Sequence, residues 1–348
     1  SSQRLFVSMQ TEIRLEKPGR FGRHTANVPN PNEGSARIRI RRIGVCGTDI
    51  HAFHGRQPFF KYPRILGHEL AAEIVSLNGS SDLKVGDIVA VEPYLNDPAS
   101  PATQKGKPNC CESLKVLGVH ADGGMRPEIN LPIAKLHKAG SATADQLALV
   151  EMLCIGCHAV NRSLACQADN ALILGTGPIG LSTLSFLQTR TENVAVADLD
   201  ETRLQFCREA LGVQHTLKVE PGKSLENNLR DAFGGDLPDL ILDATGNRSS
   251  MLSTFDLAGH GGRIVFVGLF EGKAEFNDPN FHKRELTLMA SRNAIPAEFT
   301  QVINAMESGL INTDPWITHR LDLADVPGRF ASVINDPSLR KAVIHLDD

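Results

Sequence analysis

Two short stretches bring together side chains that bind metals. One is Cys46-Gly-Thr48-Asp-Ile-His51, the other Gly67-His68-Glu69. Thiolate, imidazole and carboxylate are all zinc ligands, and a catalytic zinc keeps one coordination position open for water or substrate. Any one of these residues alone has a plainer reading, since a lone cysteine is usually a small packed hydrophobe. A third stretch, Gly175-Thr-Gly177-Pro178-Ile179-Gly180, fits G-x-G-x-x-G. Its glycines would serve a tight turn, close approach of the backbone to a pyrophosphate, and close helix–strand packing. The helix that follows would offer free N–H groups to the phosphates. Asp198 lies 23 positions after Gly175, near the roughly 20 expected of a carboxylate bonding the adenosine ribose. It would repel a 2′-phosphate, and Leu199 and Asp200 bring no cation. NAD is therefore expected over NADP, with Arg203 near the adenine.

The elements around these residues fall into two kinds. The first third is rich in Gly, Pro and short β-branched runs such as Ile88-Val-Ala-Val91. Alternation from Ala36 to Arg41 reads as a half-buried strand. After about Ser141 the character changes. Thr143 to Cys157 has helical spacing, Ala171–Leu174 reads as a buried strand, and Leu181–Thr189 as a helix. Strands at Val194–Asp198, Leu240–Asp243 and Arg263–Val267 follow, with a helix at Glu201–Leu211. Strands alternating with helices predict a parallel sheet covered on both faces. Glu298–Ser308 reads as a helix, and Lys341–Leu346 as a strand rejoining the first domain.

The chain has 348 residues, 41% hydrophobic and 22% charged, with a formal net charge of −4. At about 150 residues per domain this suggests two domains. The balance argues against a nucleic-acid module, which normally carries a basic patch. No run approaches the roughly 20 apolar residues that span a bilayer, and Arg4, Glu12 and Arg14 deny the start the apolar core of a signal peptide. The seven cysteines, an odd number spread thinly, do not form a secreted disulfide framework. A cytoplasmic protein with reduced thiols is expected.

The stretches Gly44 to His51, Gly67-His-Glu69, Val85-Gly-Asp-Ile-Val89, Val150-Glu151 with His158-Ala-Val160, Gly175 to Gly180, and Asp243-Ala-Thr-Gly246 occur in this order over nearly the whole chain. Together they resemble the zinc-dependent medium-chain dehydrogenase/reductase family. The resemblance implies a GroES-like β-rich catalytic domain, residues 1–152 and 293–348, and a Rossmann domain with a doubly wound parallel sheet, residues 153–292. It makes Cys46 and His68 zinc ligands, with Glu69 and Glu151 as further candidates that coordinate directly or through water. A carboxylate at 151 resembles the polyol and threonine dehydrogenase branch. The resemblance further implies NAD contacts from Thr245, Gly246, Val267, Gly268, Leu269, Ser291 and Arg292. Zinc would act as a Lewis acid on a substrate hydroxyl. Thr48 would take the hydroxyl proton and pass it through the nicotinamide ribose to His51, an imidazole suited to base catalysis, as hydride moves to the nicotinamide.

Many members also hold a structural zinc with four cysteines. The matching positions here are Asp97, Ser100, Thr103 and Cys111, and a Cys₄ site cannot survive the loss of three thiolates. One zinc per chain is expected, with the lobe Pro93–Pro108 mobile or held by other contacts. The five cysteines other than Cys46 and Cys111 are read as packed thiols, including the Cys154–Cys157 pair. Finer stretches (Gln57-Pro-Phe-Phe60, Asn109-Cys-Cys-Glu112, Gly118 to Gly124, Val267-Gly-Leu-Phe270, Asp278 to Lys283, Ser291-Arg-Asn293) resemble bacterial L-galactonate and L-gulonate 5-dehydrogenases. The substrate would be the secondary alcohol of a sugar acid, its carboxylate met by Arg292 with Lys283 and His282 behind it. The alternatives are a neutral polyol or amino alcohol, as in sorbitol- or threonine-type enzymes, and a zinc-free NAD(P)-binding structural or quinone-reducing protein. A homodimer or homotetramer is implied, with an edge strand near Val265–Leu269 pairing across a two-fold.

Overall fold

The computed structural model describes residues 8–58 and 60–347. Arg4 and Phe59, both used above, lie outside the described residues. The chain divides into two compact units. One runs to Glu151 and resumes at Ile295, and the other is Met152–Ala294. Among the described residues no helix is long and apolar enough to cross a membrane.

In the first unit a hairpin of Ser8–Lys17 and Arg20–Val28 precedes a larger sheet. That sheet has the order Ile317–Asp322, Lys341–His345, Ser35–Gly44, Glu69–Asn78, Ile88–Val91, Leu136–Lys138, with Glu128–Pro132 also pairing with Ser35–Gly44. Alternation in Ser35–Gly44 sends Ala36, Ile38 and Ile40 inward and leaves Arg37, Arg39 and Arg41 half-buried, as period-two geometry requires. Ile38, Ile40, Leu70, Ile74, Val89 and Ile344 share one apolar core. The terminal strand rejoins this sheet, as its apolar run suggested.

The second unit is a six-stranded parallel sheet ordered His215–Lys218, Val194–Asp198, Ala171–Leu174, Leu240–Asp243, Arg263–Phe266, Thr287–Ala290. The chain order reverses between Ala171–Leu174 and Leu240–Asp243, which is the Rossmann switch point. Three expectations need correction. The strand at Arg263–Phe266 is not an edge, because Thr287–Ala290 pairs outside it, and Leu269 lies beyond the strand and is exposed. The helical stretch from Thr143 is two helices, Ala144–Leu147 and Val150–Ser163. Cys154, Cys157 and Cys207 are buried as packed thiols, but Cys110 and Cys166 are exposed.

Candidate metal centre and dinucleotide loop

Sheet register assembles the metal-binding residues. Gly44 stands opposite Glu69 on one side and opposite Val343 on the other. Lys341, at the start of the terminal strand, is thereby carried to Glu69. Cys46 sits at the N-cap of the short helix Gly47–Phe53, its N–H donating to Asp49 Oδ2 at 2.9 Å. One ligand atom each from Cys46, His68 and Glu69 lies within 4.8 Å of the others. Lys341 is only 2% exposed and Glu69 1%. The ammonium pairs with Glu69 Oε2 and donates to the Val45 carbonyl at 2.9 Å. Glu151, in the first turn of Val150–Ser163, is buried and accepts a hydrogen bond from the Tyr94 hydroxyl at 2.5 Å. Thr48 Oγ1 lies 3.7 Å from Cys46 Sγ, and His51 is exposed in the last turn of the same helix.

The electrostatics of this pocket favour a cation. Burial pushes the Asp49 and Glu151 carboxyls above their usual range, although the His68 charge opposes it. Burial works against a charged His68, yet Cys46 and Asp49 outweigh it and raise the imidazole well above its ordinary value. Two buried polar atoms, His68 Nδ1 and Asp49 Oδ1, stand 3.9 Å apart without hydrogen-bond partners. A thiolate, an imidazole and a carboxylate around a spot that draws positive charge fit a zinc ion.

The lobe matching the four-cysteine position is internally tied. The Asp97 N–H donates to Cys111 Sγ at 3.3 Å, and the Ser100 hydroxyl donates to Thr103 Oγ1 at 2.9 Å. Ser100 also caps Pro101–Gln104 by accepting from the Thr103 N–H. The donors from Asp97 and Ser100 pull the Cys111 thiol down to about 7.

In the second unit, the residues expected to touch NAD follow the carboxyl ends of parallel strands: Gly175 to Gly180 after Leu174, Thr245 and Gly246 after Asp243, Val267 to Leu269 after Phe266, and Ser291 and Arg292 after Ala290. Gly175 has φ +86°, and a Cβ on Gly180 would fall 1.8 Å from the Gly175 carbonyl oxygen, so neither position accepts a side chain. A Cβ on Gly177 would meet only Arg203, at 3.8 Å, which leaves that face open to a ligand. Asp198 Oδ2 accepts from the Thr176 N–H at 2.7 Å and the Thr176 hydroxyl at 2.8 Å. Arg203 lies 3.8 Å from the same oxygen, so its cation sits beside Asp198. The Thr245 N–H and hydroxyl both donate to Asp243 Oδ1, fixing that turn. Arg292 and Lys283 are exposed.

Sequence reasoning missed Asp49, Tyr94 and Lys341. Lys341 left one local signal, a lysine opening the apolar run Lys-Ala-Val-Ile.

Similarity to known proteins agrees with this geometry. The Alcohol dehydrogenase GroES-like domain matches residues 32–141, and the Zinc-binding dehydrogenase family matches residues 178–308. L-galactonate-5-dehydrogenase of Escherichia coli K12 is 41% identical over 340 residues, covering 97% of this chain and 99% of that protein. The 2-dehydro-3-deoxy-L-galactonate 5-dehydrogenase of Pseudoalteromonas atlantica is 29% identical, covering 90% and 92%. A crystal structure of the alcohol dehydrogenase RspB from Escherichia coli CFT073, complexed with NADH, superposes with a TM-score of 0.89 at 30% identity, covering 97% and 100%. The chain belongs to the zinc-containing medium-chain dehydrogenase/reductase family. It is a zinc-type alcohol dehydrogenase.

Proposed function

We propose that this enzyme oxidises a secondary alcohol of a sugar acid with NAD, in the manner named for its L-galactonate relative. The observation that carries the zinc chemistry is the group of half-buried Cys46 with buried His68 and Glu69. The substrate class rests on the 41% identity over nearly both full lengths. Cys46, His68 and Glu69 would hold one zinc per chain, with Glu151 beside them. Bound there, zinc would supply Lewis acidity toward a hydroxyl, and NAD would accept the hydride. Thr48, beside Cys46, would accept the substrate's hydroxyl proton while its own passes through the nicotinamide ribose hydroxyl to the exposed His51, which would release it to solvent. Gly175 to Gly180 seats the pyrophosphate, and Asp198, held by Thr176, receives the adenosine ribose. Arg292 meets the substrate carboxylate, with Lys283 adding positive charge.

The test is turnover with NAD against a panel of hexonates and neutral polyols, with and without a zinc chelator. Hexonate oxidation lost on chelation is expected. Preference for neutral polyols would move the assignment to a sorbitol-type enzyme, and turnover insensitive to full metal removal would overturn the zinc reading. Arg292→Ala should raise KM for the acid and leave that for neutral polyols unchanged.

A further inference from the structure

The two carboxylates at the metal group are held by different means. Glu69 faces the Lys341 ammonium, a buried ion pair. Glu151 faces a neutral donor, the Tyr94 hydroxyl. Tyr94 is 2% exposed, and its ring meets Phe299 edge-on at 6.1 Å. Phe299 in turn lies flat on His137 at 4.7 Å, and His137 Nε2 is 2.8 Å from Glu92 Oε2. A ring wedged in this way has a fixed hydroxyl direction. Glu151 stands outside the set of atoms within 4.8 Å of one another, but the chain just before its helix reaches the group: a Cβ on Gly44 would fall 2.9 Å from the Ala148 carbonyl oxygen, close against Glu69 Oε2.

We propose that Tyr94 is a positioning residue that holds Glu151 at the edge of the metal group and thereby sets how readily the metal leaves. This rests on the zinc reading above. A hydrogen bond from a neutral hydroxyl is a weaker hold than a buried ammonium, so Glu151 is the exchangeable carboxylate and Glu69 the fixed one. Without the hydroxyl, Glu151 Oε1 is left buried and short of a donor, and an unsatisfied buried anion turns to the nearest positive charge. With the Lys341 ammonium held by Glu69, that charge would be the bound zinc. Tyr94 therefore keeps Glu151 from tightening on the ion and closing the open coordination position.

The experiment follows zinc release from purified holoenzyme to a coloured chelator, in wild type, Tyr94→Phe, Glu151→Gln and the double variant. Phenylalanine keeps the ring packing, and thermal melting of each protein checks the fold. Tyr94→Phe should release zinc about tenfold more slowly, the size of a lost hydrogen bond to a charged group. It should also lower kcat more than it changes KM. In the Glu151→Gln background the Tyr94 substitution should have no effect on release. Unchanged release in Tyr94→Phe would show that Tyr94 only packs. Faster release would show that it only stiffens the site, and either result overturns the proposal while the zinc reading stands. A wild-type protein without tightly held zinc would overturn both.

Discussion

Replacing Lys341 with methionine tests whether the metal group depends on a cation supplied by the chain itself. Methionine is similar in length and uncharged, so it preserves the packing of the terminal strand and deletes only the ammonium. In the zinc-free protein this leaves the buried Glu69 carboxylate without the cation that faces it, and the Val45 carbonyl without its donor. Removing one partner of a buried ion pair costs about 3–5 kcal/mol. Each kcal/mol lowers Tm by about 2–4 °C in proteins of 150–250 residues, so a drop of roughly 10 °C is expected. With zinc bound, a dication faces Glu69 and the loss shrinks. If the cost falls from about 4 to about 2 kcal/mol, the cycle requires zinc to bind the variant about 30-fold more tightly.

Calorimetric melting of both proteins, each with and without zinc, measures the two costs, and a competition titration measures the affinity independently. A zinc-free variant melting within about 2 °C of wild type would refute the claim that Lys341 compensates Glu69. Equal costs with and without zinc would refute the placement of Glu69 at the metal. Adding Glu69→Gln to Lys341→Met should recover much of the loss, because the stranded charge is then gone.

Gly180→Ala should abolish NADH binding, read by the coenzyme's fluorescence, since the new Cβ would fall 1.8 Å from the Gly175 carbonyl oxygen; retained binding would show that the loop can shift. Asp198→Asn should cut the preference for NAD over NADP, measured as the ratio of kcat/KM values, by at least about tenfold through loss of one charge facing a phosphate. The Cys111 thiol, drawn down to about 7 chiefly by the Asp97 N–H and then by Ser100, should show thiolate absorbance with that midpoint in a wild-type minus Cys111→Ala difference titration. Because the folded value is the lower one, Cys111 adds stability that is fully present only above the ordinary thiol value and is lost as pH falls through about 7. The gap in denaturation midpoint between wild type and Cys111→Ala should therefore widen from pH ~6.5 to pH ~9.

What the sequence disclosed depended on how local the cause was. Ala171–Leu174, Val194–Asp198 and Leu240–Asp243 are buried along their whole length, and strands covered on both faces read as unbroken apolar runs. The two flanking strands, His215–Lys218 and Thr287–Ala290, are half-exposed and only four residues long, so they carry no run to detect. Missing the second of these made Arg263–Phe266 look like the edge. Cys46, His68 and Glu69, which the fold brings together, were legible as candidates because chemistry fixes their types within short stretches. Lys341 and Tyr94 were not, because strand register and ring packing bring them to the site from distant parts of the chain, and nothing near them in sequence announces the meeting.

The metal group and the lobe of Asp97, Ser100, Thr103 and Cys111 can be compared by one physical question, whether the fold satisfies its own buried polar groups. At Cys46, His68 and Glu69 it does not. Cys46, Asp49, Glu69 and Glu151 gather around the Lys341 ammonium and the His68 imidazole, which holds its proton well beyond its usual range, and His68 Nδ1 and Asp49 Oδ1 have no hydrogen-bond partner. Buried negative charge of that kind is costly unless a cation arrives. At Asp97, Ser100, Thr103 and Cys111 the chain's own donors are spent on one another, with hydroxyl on hydroxyl and an N–H on the sulfur. A thiolate stabilised by donors already in place gains less from an ion. It follows that restoring cysteines at 97, 100 and 103 would have to break those hydrogen bonds before a second zinc could bind.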